Sequence, residues 1–281
     1  MKKLFRLSGI PQIFLKLLLI LWCCFIVFSL SWIATSSLKT NNEFFSNRWG
    51  FFKTPHIENY YNIFNVYRIG RYFANSIFLV SLSVLGIVAV ASPAAYVLAR
   101  VRFPFRSVAA GSFSLGMGVP VQLLLIPLYF ILYDLKMLNS LLGLAIPYVS
   151  LSLPFSIFLM IGFFKSLPRE LEDAAYVDGC TPMMCFFRIM LPIGKTGAIT
   201  CAIFNFVGLW NEFLMSLTMI SSSKLYTLPI GLYEIQGAMT YAGDWTGLFA
   251  GFTMAIVPLL IVYMFLSKHI IAGLTAGAIK G

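Results

Sequence analysis

Side chains able to do chemistry are scarce in this sequence and gather in two places. Charged residues crowd the stretch from Lys165 to Lys195, which carries Arg169, Glu170, Glu172, Asp173, Asp178 and Arg188. Glu212 stands almost alone in an apolar run, directly after Trp210 and Asn211. An indole beside an amide and a carboxylate suits a carbohydrate, whose ring faces stack on Trp while its hydroxyls bond to Asn and Glu. The same triplet fits an interfacial Trp with polar neighbours at a span end. Glu212 has three readings: a group facing a substrate path, a helix cap, or an interfacial residue. Gln122, Asn75 and Asn205 are weaker polar candidates, each equally suited to joining helices.

No catalytic set emerges. His56 and His269 have no partner pattern, and the five cysteines lack zinc-site spacing, so no metal site is expected. Gly194-Lys195-Thr196 imitates the end of a phosphate-binding loop. Such a loop needs a further Gly where Ile189 stands, and a preceding strand. Nucleotide binding by this chain is therefore not expected.

The elements that hold these residues are apolar helices. The 281 residues are 59% hydrophobic and only 11% charged, with long uncharged runs between charged clusters. Crossing a membrane takes about 20 mostly apolar residues. Runs at 17–38, 72–99, 107–133, 141–164, 196–215 and 245–266 meet that need, which predicts an all-α polytopic membrane protein of six spans in one domain over 1–281. The first run is too long for the apolar region of a cleaved signal peptide. Prolines at 93, 120, 127, 147, 154 and 258 fall inside spans, where neighbouring helices can satisfy freed carbonyls.

A net charge of +10 raises nucleic acid as a partner, but no soluble basic face exists to bind it. Lys and Arg instead lie near span ends, where they meet lipid headgroups and set orientation. With both termini in the cytoplasm, the inner segments hold 13 of the 20 basic residues. Cys180 and Cys185 then fall in a cytoplasmic loop, where free thiols are the default.

That loop divides into two short helices over 168–192. Pro168 suits a first turn, and Glu170, Glu172 and Asp173 suit the positive end of a helix dipole. Gly179 can take the left-handed conformation that ends the first helix. Thr181 reads as an N-cap with Pro182 at the first helical position, and Pro192 stops or bends the second helix. Leu171, Ala174, Ala175 and Asp178 share a side by three-and-four spacing. Two physical readings remain: a shallow knob for a partner's cleft, or an amphipathic hairpin lying on the membrane surface.

Asp173-Ala174-Ala175, Gly179, Ile189, Leu191 and Pro192 resemble the loop motif E-A-A-x-x-x-G, nine residues, I-x-L-P of ABC importer permease subunits. The departure is Asp for the leading Glu, which keeps the charge. Ala174-Ala-Tyr-Val-Asp-Gly179, Trp210-Asn-Glu-Phe-Leu214, Leu228-Pro-Ile-Gly-Leu232 and the tail from Ala272 to Gly281 are similar to the smaller permease of the maltose-type, carbohydrate-uptake class. The likeness covers nearly the whole chain. It implies the type I importer permease fold, with Leu171, Asp173, Ala174, Ala175, Gly179, Ile189, Leu191 and Pro192 in a coupling loop docked on an ATPase. It also implies a second homologous permease, two ABC ATPase subunits holding ATP and Mg, an extracytoplasmic solute-binding protein, and residence in the bacterial inner membrane. By the same likeness, the Gly-rich tail reaches toward the interface between the two ATPases. The cargo so implied is a sugar, most simply an oligosaccharide; by residue type, Trp210, Asn211, Glu212 and Gln122 are the candidates for its path. The rival is an ATP-independent secondary transporter or channel, disfavoured by the shortage of ionisable residues within the spans.

Overall fold

The computed structural model describes residues 10–278, with side chains over residues 13–264. Expectations resting on Lys2, Lys3 and Arg6, on Lys268 and His269, and on the tail from Ala272 to Gly281 concern side chains outside the described residues. No strand occurs among the described residues. Four helices are long and apolar enough to cross a membrane, or up to six if each of two bent pairs counts as one crossing. The chain forms two compact units.

One unit comprises the described residues up to Ile69 together with Leu232–Ile256. It holds α1 (Ile10–Ser36), α2 (Asn41–Ser46) and α3 (Glu58–Asn65). It takes in most of α13 (Leu228–Ala242) and the start of α14 (Trp245–Ala278). The apolar side chains of α1 stay exposed from Ile13 to Phe28, as befits a helix solvated by lipid. The start of α14 is capped twice. Asp244 accepts from the Gly247 N–H at 3.0 Å, and Asn41 accepts from the N–H groups of Trp245 and Thr246 at 3.0 and 3.2 Å. These carboxylate and amide oxygens satisfy donors that a helix start leaves orphaned. Phe249, one turn on, packs between Trp32 and Phe44. Lys39 is fully buried and donates to the carbonyl of Asn47 at 3.0 Å, which closes the loop before α3.

The second unit spans Gly70–Gly231 and the described residues from Val257 onward. Its frame is α4 (Ile69–Arg100) and α7 (Leu141–Ser166). On α4, Ile87, Ala91, Ala95 and Ala99 recur every fourth residue and make one small-residue face. That face meets Ile157, Met160 and Phe164 of α7 in a buried cluster, since small side chains let helices approach closely. α11 (Lys195–Trp210) crosses α7 where a side chain at Gly197 would meet the Phe163 ring at 2.6 Å, so only glycine fits.

The stretch expected as one continuous span over 107–133 is two helices, α5 (Arg106–Gly116) and α6 (Val121–Asp134), bent by 99°. Gly116, Gly118 and Pro120 supply the break, because Pro120 has no N–H to continue a ladder and restricts the residue before it. The stretch expected at 196–215 also divides. α11 ends at Trp210 and α12 (Leu214–Met219) begins after a three-residue gap.

Candidate functional site

The loop between α7 and α11 folds as the two short helices its sequence predicts. α8 covers Glu170–Val177 and starts after Pro168, with three carboxylates in its first turn. Gly179 has φ +81°, a left-handed turn that a Cβ would strain. The Thr181 side chain then accepts from the Met184 N–H at 3.3 Å and caps α9 (Pro182–Cys185), with Pro182 in its first turn. Phe186–Met190 follow as a π-helical turn, then α10 (Leu191–Ile193). Pro192 explains the wide turn, since in a regular helix its ring would crowd the Arg188 carbonyl. The hairpin meets α11 at a 71° bend around Gly194.

The two adjacent alanines do not share one open face. Ala175 is 3% exposed and packs with Cys185, Phe186 and Met190 into the cluster on α4 and α7. Leu171, Ile189 and Leu191 are partly buried against the same cluster, and Pro192 is exposed. The open side carries Asp173, Ala174, Val177, Asp178 and Gly179, with Val177 88% exposed. Helical spacing explains the shift: 171, 172 and 175 turn inward, and 173, 174 and 177 turn outward. Met183 and Phe187, in the second half of the hairpin, are also exposed. Burial raises the Cys185 thiol above its ordinary pKa.

Behind α8 lies an ion pair that the sequence did not single out. Arg100 Nη1 lies 3.3 Å from Glu172 Oε2, and the Tyr96 hydroxyl donates to Glu172 Oε1 at 2.8 Å. Arg100 Nη2 also donates to the carbonyl of Leu167.

The second candidate site is an open cavity of about 430 Å³ between α6, α7, α11 and α12. Val121, Gln122 and Leu125 line it from α6, and Tyr148, Leu151, Ser152 and Phe155 from α7. The spacing on α7 marks a single helical face. From α11 come Phe204, Asn205, Gly208 and Leu209, with Glu212, Leu214 and Met215 at the break beyond it. Phe155 and Phe204 meet edge to face, ring centres 5.9 Å apart. Gln122, Ser152 and Asn205 thus stand beside an aromatic corner, a mixture of apolar wall and few polar groups typical of small-molecule sites.

Glu212 and Gln122 reach this cavity, whereas Trp210 and Asn211 do not line it. Trp210 is 3% exposed, edge-on to Phe73 at 5.6 Å and stacked on Phe206 at 5.5 Å. It follows Phe206 by one turn, on the side of α11 opposite Phe204 and Gly208. Asn211 is exposed and donates to the Val207 carbonyl at 2.8 Å. Asn75 is likewise engaged, donating to the carbonyls of Lys224 and Tyr226 at 3.0 and 2.9 Å. Asn205 donates to Ser156 Oγ at 2.9 Å, so it both joins helices and borders the cavity.

Glu212 acts as a cap as well as a cavity wall. Its Oε1 accepts from the Met215 N–H at 2.7 Å, and its Oε2 from the Ser216 N–H at 3.1 Å. These are orphan donors of the first turn of α12. The signal for Ser152, Phe155 and Phe204 lay in their spacing on α7 and α11, but apolar helices offer several such faces. No cluster of three or more His, Cys, Asp or Glu suited to a metal occurs among the described residues.

A family model described as "Binding-protein-dependent transport system inner membrane component" matches residues 91–275. The diacetylchitobiose uptake system permease protein NgcG of Streptomyces coelicolor is 34% identical, over 94% of this chain and 87% of its own length. The sulfoquinovosyl glycerol transport system permease protein SmoH of Agrobacterium fabrum is 34% identical over 91% of this chain and 89% of its own. One solved structure superposes with a TM-score of 0.80 at 21% identity, covering 92% of this chain and 96% of that one. It is a bacterial ABC transporter involved in the import of the acidic polysaccharide alginate, and at this identity it speaks for the fold.

Proposed function

The chain belongs to the family of binding-protein-dependent transport system inner membrane components, and from that premise we propose that it forms half of an importer's path for an oligosaccharide. It is a multi-pass, all-α membrane permease of the ABC importer class. In the proposed assembly a second permease completes the path, and two separate ATPase subunits bind ATP and Mg and carry out hydrolysis. An extracytoplasmic binding protein delivers the sugar. Six crossings, each bent pair counting as one, would leave both termini on one side of the membrane, and the excess of Lys and Arg in the inner segments supports the cytoplasm as that side.

The observation that supports this reading most is mechanical continuity. The exposed acidic and apolar side of α8 backs onto one buried cluster. That cluster also contains Ile157 and Phe164 of α7 and Cys201 of α11, two of the four helices that wall the cavity. Packed interiors transmit displacement because they hold few voids. A partner that moves α8 therefore moves the cavity walls. Within the cavity, Gln122, Ser152 and Asn205 offer hydrogen bonds to hydroxyls, and Phe155 and Phe204 offer faces for sugar rings.

Co-purification from the native membrane tests the proposal. A second permease and an ATPase should accompany the chain, and sugar-loaded binding protein should stimulate hydrolysis. A chain that purifies alone and moves sugar in proteoliposomes without ATP overturns it.

A further inference from the structure

We infer that Arg100, Glu172 and Tyr96 are positioning residues that fasten α8 to the end of α4, so that α4 travels with the hairpin when a partner ATPase closes. The inference rests on the importer reading and goes further, because chain connectivity ties the hairpin only to α7 and α11. Tyr96 and Glu172 are 76 residues apart in sequence, yet the hydroxyl and carboxylate meet at 2.8 Å. Arg100 completes the clasp through Nη1 to the other carboxylate oxygen and through Nη2 to the Leu167 carbonyl at the root of the hairpin. One guanidinium thus holds the end of α4, the end of α7 and the start of α8 together.

The rest of that contact is largely apolar. Ala91, Ala95 and Ala99 share one buried cluster with Ala175 and Met190, and small apolar surfaces can slide past one another. Both partners of the ion pair are nearly buried, with side chains 5% and 10% exposed. Burying a charge pair is a poor way to gain stability, since well-packed apolar residues of similar volume often do as well or better. Its distinctive property is direction: paired charges and fixed hydrogen bonds admit one register where apolar packing admits several.

The test uses the complete complex in proteoliposomes, with diacetylchitobiose, trehalose and maltose as probes. The double variant Arg100→Met/Glu172→Leu replaces the pair with apolar side chains and leaves no lone buried charge. We expect it to assemble, to melt close to wild type, and to move about tenfold less sugar per ATP hydrolysed. Tyr96→Phe keeps the ion pair and ring packing, and should lower the same ratio by less with unchanged melting. Hydrogen exchange of the α8 amides gives a readout independent of transport, and the double variant should exchange faster there. Wild-type sugar-to-ATP ratios in both variants, or wild-type protection of α8 in the double variant, overturn the inference. Loss of ATP-dependent uptake in the wild-type complex would instead count against the importer reading, while the exchange result still judges the clasp.

Discussion

The Tyr148 hydroxyl on α7 donates to Glu212 Oε2 at 2.5 Å, across the wall of the cavity. The same hydroxyl lies 2.8 Å from Ser216 Oγ. Glu212 therefore has its oxygens engaged by Tyr148 and by the first turn of α12. Its main work is to fix the break between α11 and α12, so in the proposed path sugar contact falls to its neighbours.

Removing that cap should cost stability before it costs affinity. Glu212→Gln and Tyr148→Phe should each lower stability by about 1–2 kcal/mol, read as thermal melting in lipid nanodiscs. The two share one hydrogen bond, so their effects should add to less than the sum in a double-mutant cycle. Full additivity would show that the carboxylate and hydroxyl act separately.

Affinity should follow the aromatic corner and the amide. Gln122→Ala and Phe204→Ala should each raise the KM for sugar uptake about tenfold and leave basal ATP hydrolysis unchanged. Trp210→Ala should behave otherwise. It empties a packed site between Phe73 and Phe206, so it should lower the yield of folded protein by a loss of about 3–5 kcal/mol. A KM effect of Trp210→Ala without lost stability would restore the indole to the substrate path.

On α8 the structure separates two alanines that look alike in sequence. Ala174→Trp adds bulk to an exposed face and should give an assembled, stable chain with impaired ATPase docking. Ala175→Trp forces an indole into the cluster around Cys185 and Met190, and overpacking of about 1–3 kcal/mol or more should reduce folded protein. Yield after detergent extraction, with ATPase retention on the same column, distinguishes the two outcomes.

Thiol labelling tests the orientation. In a background otherwise free of cysteine, Val177→Cys should react with a membrane-impermeant maleimide in inside-out vesicles and not in intact cells. Native Cys185, kept as the only cysteine of a separate variant, should stay slow through neutral pH. It is buried, and its raised pKa keeps it as the unreactive thiol, so labelling should climb only as pH rises beyond the ordinary thiol range. Fast labelling of Cys185 at neutral pH would mean that the hairpin opens away from the cluster.

Much of the hairpin was legible because its signals are local. Gly179, Thr181 and Pro182 each act on the backbone within a few residues, and each stands where the chain needs it. The clasp of Arg100 to Glu172 was not legible, because nothing local pairs residues that two spans separate in sequence. The break at Pro120 had its signals in Gly116, Gly118 and Pro120, but they sat within an apolar run long enough to read as one span. Trp210 stayed open for a related reason: residue type suits a sugar platform or a span end, whereas helix phase decides which wall it joins. Phase relative to a cavity depends on how α6, α7 and α11 meet, and that is a tertiary property.

The most direct measurement of the central claim is sugar uptake by the reconstituted complex with ATP supplied on one side of the membrane at a time. ATP on the side of α8 should drive accumulation of sugar, and Ala174→Trp should abolish it while the complex stays assembled. Equal uptake with no ATP on either side, or full uptake in the variant, would contradict the claim that α8 couples hydrolysis to the cavity.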